Sequence, residues 1–391
     1  MISVEEAIFK VENNYEVLPT EEVYLKDARN KILAKDIVSP INMPPFRQSA
    51  MDGYAVNFDP NIESYTIIDE VQAGMDPDNY ELKKGQSVRI FTGAALPNGS
   101  TSVIQQEWCI RTNNSLSFNK RPLDQLNIRP IGEQLIEGEK VLKKGHQINP
   151  ATIGLIAGLG IEKVTVYKEP NIAIIITGDE LIQPGNKLTN GKIYESNSSM
   201  LIAVLHQFGY QNITTFYAKD NYKETLETID GAINQNDVVL LSGGISVGNY
   251  DFVLEASTAL GVKEMFYKVK QKPGKPLYFG KKEEKAVFGL PGNPGATLTC
   301  FYIYVLRYLS LITHRPYPIR NENVQLSKPY RKKGIRAEFL KAKIIAGKAE
   351  ISSHQNSSML RSFSEANGLV YINEELETIK ETNYLTAYLL L

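Results

Sequence analysis

The chain is short of several things, and each shortage excludes something. Its 391 residues include two cysteines, Cys109 and Cys300, too few for a disulfide framework and in keeping with a reducing compartment. The four histidines (His146, His206, His314, His354) stand apart with no Cys/His spacing, so no zinc signature is present. Formal net charge is −1, which leaves no global field to recruit nucleic acid or an anionic membrane surface. No apolar run approaches the roughly 18 residues of a membrane span, and Met1-Ile-Ser-Val-Glu-Glu lacks the basic and apolar regions of a secretory leader. These exclusions predict a soluble, cytoplasmic protein that engages neither nucleic acid nor membrane. At this length one core does not suffice, and roughly two to four domains are expected at about 100–200 residues each.

What the chain does have is concentrated in one stretch, Asp237-Val-Val-Leu-Leu-Ser242-Gly243-Gly244-Ile245-Ser246-Val247-Gly248-Asn249-Tyr250-Asp251. The four apolar residues read as a strand buried on both faces. A glycine-rich turn follows, and then a helical pattern from Phe252 to a stop at Gly261. Strand, glycine turn and helix start together form a cradle of backbone N–H groups suited to an anion. The spacing is neither that of a Walker loop nor Gly-x-Gly-x-x-Gly. The residues alone are equally consistent with a phosphate cradle and with a plain tight turn.

Before this stretch, Ser3-Val-Glu-Glu6 reads as a capping box opening a helix of about ten residues. Residues 21–38 read as a linker, ended by Pro40, Pro44 and Pro45. Phe46–Val56 follows, in which Asp52-Gly53 is a turn signal and Tyr54-Ala-Val56 opens a strand. That segment is either a surface turn or a rigid loop that presents Asp52. Short β-rich runs at 65–71, 87–91, 102–109 and 116–118 predict a small antiparallel sheet or barrel, with Thr92 in one loop and Glu107 closing a strand. Arg129 is the anion candidate of the segment beyond. Residues 151–160 read as a short, tightly packed helix.

From Pro170 the pattern changes to strands alternating with helices. Strands are expected at 172–176, 213–217, 238–241, 264–269 and 286–289, and helices at 200–208, 222–234 and from Pro294 to about 311. The last has Pro294 at its first position and Asn293 as N-cap. This predicts an α/β unit with a largely parallel sheet. The loops at Thr177–Glu180, Asp220, Ser242–Gly248 and Gly292–Asn293 each follow a strand, so they share the sheet edge where ligands bind. Glycine cradles, the lysines of a basic turn (Lys268, Lys272, Lys275) and carboxylates (Asp179, Glu180, Asp220, Asp251) suit a phosphate with Mg²⁺. Taken singly, each carboxylate reads first as a helix N-terminal cap; taken as a group, they read as a site. Short strands at 338–345, 348–352, 368–372 and 385–391 predict a C-terminal β domain that carries the polar loop of Ser357 and Ser358.

Six motifs in this order resemble one family. They are Ser49-Ala-Met-Asp-Gly-Tyr-Ala-Val56, Thr92-Gly-Ala with Pro97, Thr177-Gly-Asp-Glu-Leu181, Ser242-Gly-Gly-Ile-Ser-Val-Gly248, Lys272-Pro-Gly-Lys-Pro276 and Leu290-Pro-Gly-Asn-Pro294. The chain is similar over its whole length to the MoeA/gephyrin E-domain family of molybdopterin molybdenumtransferases. The resemblance implies an α/β plus β fold: a multi-domain, elongated subunit with a MogA-like α/β domain (1–20 and 168–312). It also implies a linking and dimerisation domain (21–44 and 137–167), an inserted β domain (45–136) and a C-terminal β-barrel-like domain (313–391). It implies insertion of molybdate into adenylated molybdopterin, with Mg²⁺ and release of AMP, by a homodimer whose Asp52 loop completes the partner's site. Transient contact with the molybdopterin adenylyltransferase and with cofactor acceptors is also implied.

Carried over by motif, Asp52, Glu180, Asp220 and Asp251 would be catalytic, with Glu180, Asp220 and Asp251 on the metal. Thr92, Arg129, Ser242, Gly243, Gly244, Ser246, Gly248, Lys268, Lys272, Lys275, Gly292, Asn293, Ser357 and Ser358 would bind the pterin nucleotide. The alternative is an adenylyltransferase-like or non-catalytic pterin-nucleotide-binding relative. One departure stands out: Gly132-Glu133-Gln134 replaces the family's usual Gly-Glu-Asp, and an amide cannot ionise.

Overall fold

The computed structural model describes residues 1–244 and 252–390. The chain divides into two compact units, Met1–Glu22 with Asn30–Ile32 and Thr165–Leu391, and Val23–Arg29 with Leu33–Val164.

The first unit is built on six strands: β1 (Ile172–Thr177), β2 (Ile213–Ala218), β3 (Val238–Ser242), β4 (Lys263–Tyr267), β5 (Tyr278–Lys282) and β6 (Lys285–Leu290). They lie in the order β2-β1-β3-β6-β5-β4. β2, β1, β3 and β6 are mutually parallel, and β5 runs antiparallel to both neighbours. Among the described residues five helices accompany them: α1 (Val4–Glu12), α2 (Asn197–Gln207), α3 (Tyr222–Gln235), α4 (Phe252–Ala259) and α5 (Pro294–Ile312). Every residue of β1 and β3 is buried because side chains alternate between two covered faces. Ile172, Ile174, Ile176 and Leu240 join α1, α2 and α5 in one core. Ala173, Ile175, Val239 and Leu241 join α3 and α4 in a second.

Local signals explain the ends. Ser3 Oγ accepts from the Glu6 N–H at 3.0 Å and starts α1, which buries Val4, Ala7 and Val11. Gly209, at φ +85°, follows α2. The helix α5 is long and apolar enough to cross a membrane by composition, yet 83% of that stretch is buried. Its apolarity is that of a core helix hemmed in on all sides.

Three expectations are corrected here. The strand β5 was not expected; its Tyr-Phe-Gly-Lys-Lys carries two lysines and a glycine rather than β-branched residues. It lies between β6 and the edge strand β4 and runs antiparallel to both. Helix α2 starts at Asn197, three residues before the expected 200. Asn293 does stand at the N-cap of α5 with extended backbone angles, as expected, and Pro294 follows it; the difference is that the Asn293 side chain makes no capping bond.

C-terminal to α5, strands Arg320–Leu326, Ala337–Ile345, Lys348–Ile351, Gly368–Ile372 and Tyr384–Leu389 pair around a closed ring. The first of these strands was not expected. A short strand, Gln271–Lys272, pairs in parallel with Ala337 and Glu338, which fastens the Lys272 turn to the barrel wall.

The second unit holds a six-stranded sheet in the order Ser102–Gln105, Gly53–Val56, Gln86–Ile90, Tyr65–Val71, Ser115–Phe118, Cys109–Thr112. It is not purely antiparallel: Tyr65–Val71 and Gln86–Ile90 run parallel, because the residues between them cross back over rather than turning tightly. Glu107 lies in a 3₁₀ turn, Gln106–Trp108, not at a strand end. The expected short helix is Pro150–Gly158, started by Asn149 Oδ1 accepting from the Thr152 N–H at 2.9 Å.

Candidate active site

At the carboxyl ends of the parallel strands the first unit opens into a cleft of about 940 Å³. Its floor follows from where the strands stop. β1 ends at Thr177, β3 at Ser242 and β6 at Leu290, and the residues just beyond each line the cleft. Gly243 and Gly244 sit at φ +96° and +66°. A Cβ on Gly243 would lie 2.7 Å from the Thr177 carbonyl oxygen, and one on Gly244 2.9 Å from Val253 Cγ2. Only glycine fits this turn, so the backbone itself lines the cleft. Asn197, at the start of α2, ties two loops together: its Nδ2 donates to Ser242 Oγ and to the Gly292 carbonyl, both at 2.8 Å. Among the described residues, Asn197 Oδ1 and Thr177 Oγ1 are buried in the cleft wall without a hydrogen-bond partner, a cost that native sites carry where a ligand completes them.

Glu180 and Asp220 supply an acidic side. The Asp179 and Asp220 N–H groups each donate to the other's carboxylate at 3.4 Å. Partial burial raises the Asp220 carboxyl above the usual range. The charges of Glu180 and Asp179 add to this, and the Asp179 N–H opposes it. A set of carboxylates that repel one another in this way suits a divalent cation. Among the described residues, however, no three His, Cys, Asp or Glu side chains come together as a metal cluster.

Lys272, Lys275 and Arg336 supply a cationic side. Lys272 Nζ pairs at 3.1 Å with Glu338, a buried carboxylate that also accepts from the Tyr330 hydroxyl at 2.7 Å. Arg336 Nη1 donates to the Gln271 carbonyl at 3.2 Å. Lys275 has no ion-pair partner among the described residues. The barrel loop Gln355–Ser358 closes this end. Asn293 Nδ2 donates to Ser357 Oγ at 3.1 Å, and the Ala296 N–H donates to the Ser357 carbonyl at 3.1 Å.

The cleft thus gathers Glu180, Asp220, Ser242, Gly243, Gly244, Lys272, Lys275, Gly292, Asn293, Ser357 and Ser358. Lys268 does not line it: the residue turns at φ +65° and its ammonium lies 4.3 Å from the Tyr267 ring centroid. Ser246, Gly248 and Asp251 lie outside the described residues. Asp52, Thr92 and Arg129 belong to the second unit. There the Thr92 N–H and hydroxyl donate to Asp52 Oδ1 at 2.7 and 2.9 Å. Those bonds, with the Arg89 charge, hold the exposed Asp52 carboxyl below its ordinary range. Arg89 is itself fixed between Tyr54 and Phe91, 5.1 Å from each ring centroid. Arg129 is exposed on a short strand opposite Gln48. The Gln134 N–H donates to the Met43 carbonyl at 2.9 Å, and its side chain is exposed.

Sequence reasoning missed Arg336 and Asn197. Asn197 looked like a residue preceding a helix, whereas it is the first residue of α2. Arg336 offered no signal, since only closure of the barrel brings it to the sheet edge.

Comparison with known proteins now bears on this arrangement. Residues 2–160 match the profile of the MoeA N-terminal region (domain I and II), residues 173–311 that of the "Probable molybdopterin binding domain", and residues 323–389 that of the MoeA C-terminal region (domain IV). A protein of Haemophilus influenzae named molybdopterin molybdenumtransferase is 39% identical over 286 residues, 72% of this chain and 70% of that one. The chain belongs to the MoeA family. A Staphylococcus epidermidis protein of the same name is 33% identical over 311 residues, 78% of this chain and 74% of its own. The crystal structure of the molybdopterin biosynthesis MoeA protein of Pyrococcus horikoshii superposes with a TM-score of 0.85 at 30% identity, over 100% of this chain and 99% of that one. In this chain the cleft lies in the part matched by the molybdopterin-binding profile, walled on one side by Arg336 and the Gln355–Ser358 loop from the C-terminal region.

Proposed function

We propose that this MoeA-family chain is a molybdopterin molybdenumtransferase that inserts molybdate into adenylated molybdopterin and releases AMP. The observation that carries the reading is the division of one cleft between a glycine cradle, a cationic side and an acidic side. The backbone at Ser242–Gly244 and Gly292 takes the phosphoanhydride, whose anionic oxygens need N–H donors in place of water. Lys275 and Arg336, with Ser357, offer charge and hydroxyl to a tetrahedral oxyanion such as molybdate or tungstate. Lys272 shares its charge with Glu338, so it steers more than it binds.

Glu180 and Asp220, with Asp251, would hold Mg²⁺. The raised Asp220 carboxyl fits that role, since a cation relieves the crowding of negative charge. Bound there, Mg²⁺ would neutralise charge on the phosphoanhydride. The remaining chemistry is positioning by this chain's own residues, with no protein nucleophile. We assign Asp52, kept ionised by Thr92, to the reacting dithiolene and molybdate end. It would be delivered within a cytoplasmic homodimer by the partner's loop, with residues 21–44 and 137–167 linking the subunits. The adenylyltransferase that makes the substrate and the acceptors of the product would be transient partners.

Anaerobic incubation with adenylated molybdopterin, molybdate and Mg²⁺, with AMP followed by chromatography, tests the reading. Molybdate-dependent AMP release is expected. Tight nucleotide binding without release would make the chain a non-catalytic pterin-nucleotide binder and implicate Gln134. AMP exchange that ignores molybdate would make it adenylyltransferase-like.

A further inference from the structure

Lys341 lies in the barrel strand Ala337–Ile345 and is 4% exposed. Among the described residues no carboxylate is within ion-pair distance of it. Its Nζ donates instead to two backbone carbonyls, Asn356 at 3.3 Å and Met359 at 3.1 Å, and it lies 5.9 Å from the Phe363 ring centroid. Its own backbone is tied to the same loop. The Lys341 N–H donates to Gln355 Oε1 at 3.0 Å, and Gln355 Nε2 donates to the Lys341 carbonyl at 2.8 Å.

Burying an ammonium without a counter-charge is costly, and an apolar side chain of similar length fills such a place more cheaply. Desolvation accordingly pulls the Lys341 pKa down. Barrel stability therefore gives no reason for a lysine here. What the ammonium does accomplish is to hold both ends of a four-residue bend, Asn356 to Met359. That bend is gripped from its other side by α5, through the Ala296 N–H and the close approach of Gly295, where a Cβ would come within 2.8 Å of the Ser357 carbonyl.

We propose that Lys341 is a positioning residue: from behind the cleft it sets the bend that presents Ser357 to the oxyanion beside Lys275 and Arg336. The proposal rests on the reading of that side of the cleft as an anion site, and it deepens it. Lys341 does not line the cleft and acts only through the bend.

Lys341→Met and Lys341→Arg decide the matter when three properties are measured on the full chain. Thermal unfolding of Lys341→Met should match or exceed wild type, since methionine fills the site without a buried charge. Amide exchange of residues 355–359 should quicken, and molybdate affinity by calorimetry should fall about tenfold, the equivalent of one lost charge-assisted hydrogen bond. Lys341→Arg, which keeps charge and donors, should restore both. Wild-type exchange and wild-type molybdate affinity in Lys341→Met would overturn the proposal, as would loss of function accompanied by a large drop in melting temperature that arginine fails to repair. Should wild type bind no molybdate while Lys341→Met still frees the bend, the anion-site reading falls and Lys341 stands as the bend's anchor only.

Discussion

Single residues in this cleft hold their roles by charge and by space. Asp220 has a folded pKa raised by burial and by its acidic neighbours, so between the unfolded and the folded pKa the folded protein holds a proton that the unfolded chain gives up. Stability is then lost as pH rises from the unfolded carboxyl value through the folded one. Asp220→Asn should therefore raise the melting temperature at neutral pH, with the gain vanishing in acid, while AMP release is abolished. Mg²⁺ should raise the wild-type melting temperature and leave that of Asp220→Asn unchanged; equal shifts in both would take Asp220 off the metal. Asp52 has the opposite sign. Its pKa is lowered by the two Thr92 bonds, a contribution present above the unfolded value and lost as pH falls through the folded one. Thr92→Val removes one of the two bonds, and the acid limb of the pH–rate profile should move upward. Gly243→Ala must place a Cβ 2.7 Å from the Thr177 carbonyl at φ +96°, costing about 1–3 kcal/mol of stability together with nucleotide binding. Both are measurable by denaturant titration and calorimetry.

At the scale of elements, α5 joins the sheet to the barrel. Its body is buried against a run of rings: Phe279 stacks on Phe288 at 4.7 Å, and Tyr308 meets both edge-on at 5.7 and 5.5 Å. Phe288→Ala should destabilise the first unit by about 3–5 kcal/mol through the cavity it leaves. Its N-terminus is different. At Gly295 an alanine suits a helix better than glycine does, but its Cβ would meet the Ser357 carbonyl. Gly295→Ala should leave the melting temperature within a few degrees of wild type and weaken molybdate binding. Unchanged binding would show that the bend yields freely to its neighbour.

At the scale of the whole molecule, the proposed dimer has Asp52 of one subunit serve the site of its partner. If the partner subunit supplies it, inactive Asp52→Ala and Asp220→Ala chains should recover part of the AMP-releasing activity when mixed under conditions that allow subunit exchange. The hybrid pairs intact residues at one of its two sites. Mixtures that stay inactive would place both residues in sites made by a single chain, or separate Asp52 from the reaction altogether.

Some of this was legible in residues close together in sequence. Ile172–Thr177 and Val238–Ser242 announce two-faced burial by their composition, Ser3 announces a helix start, and alternation of strands with helices dictates a parallel sheet whose loops share an edge. Backbone handedness and burial impose these consequences locally, so the sequence by itself determined that Glu180, Asp220, Ser242–Gly244 and Gly292 meet. The six motifs likewise marked the family. For the other half of the cleft the motifs named Lys272, Lys275, Ser357 and Ser358, but only the tertiary structure brings them together beside Arg336. Arg336 and Ser357 reach the sheet edge, and Lys341 stands behind the cleft, through closure of the barrel and the pairing of Gln271–Lys272 with Ala337–Glu338, contacts between residues more than sixty positions apart. The tertiary structure also leaves Lys268 off the cleft lining, turned at φ +65° with its ammonium beside a tyrosine ring, and binds Asn197 to two loops at once. A side chain's pattern along the chain reports which face it is on; what it meets there depends on long-range pairings whose register no local pattern carries.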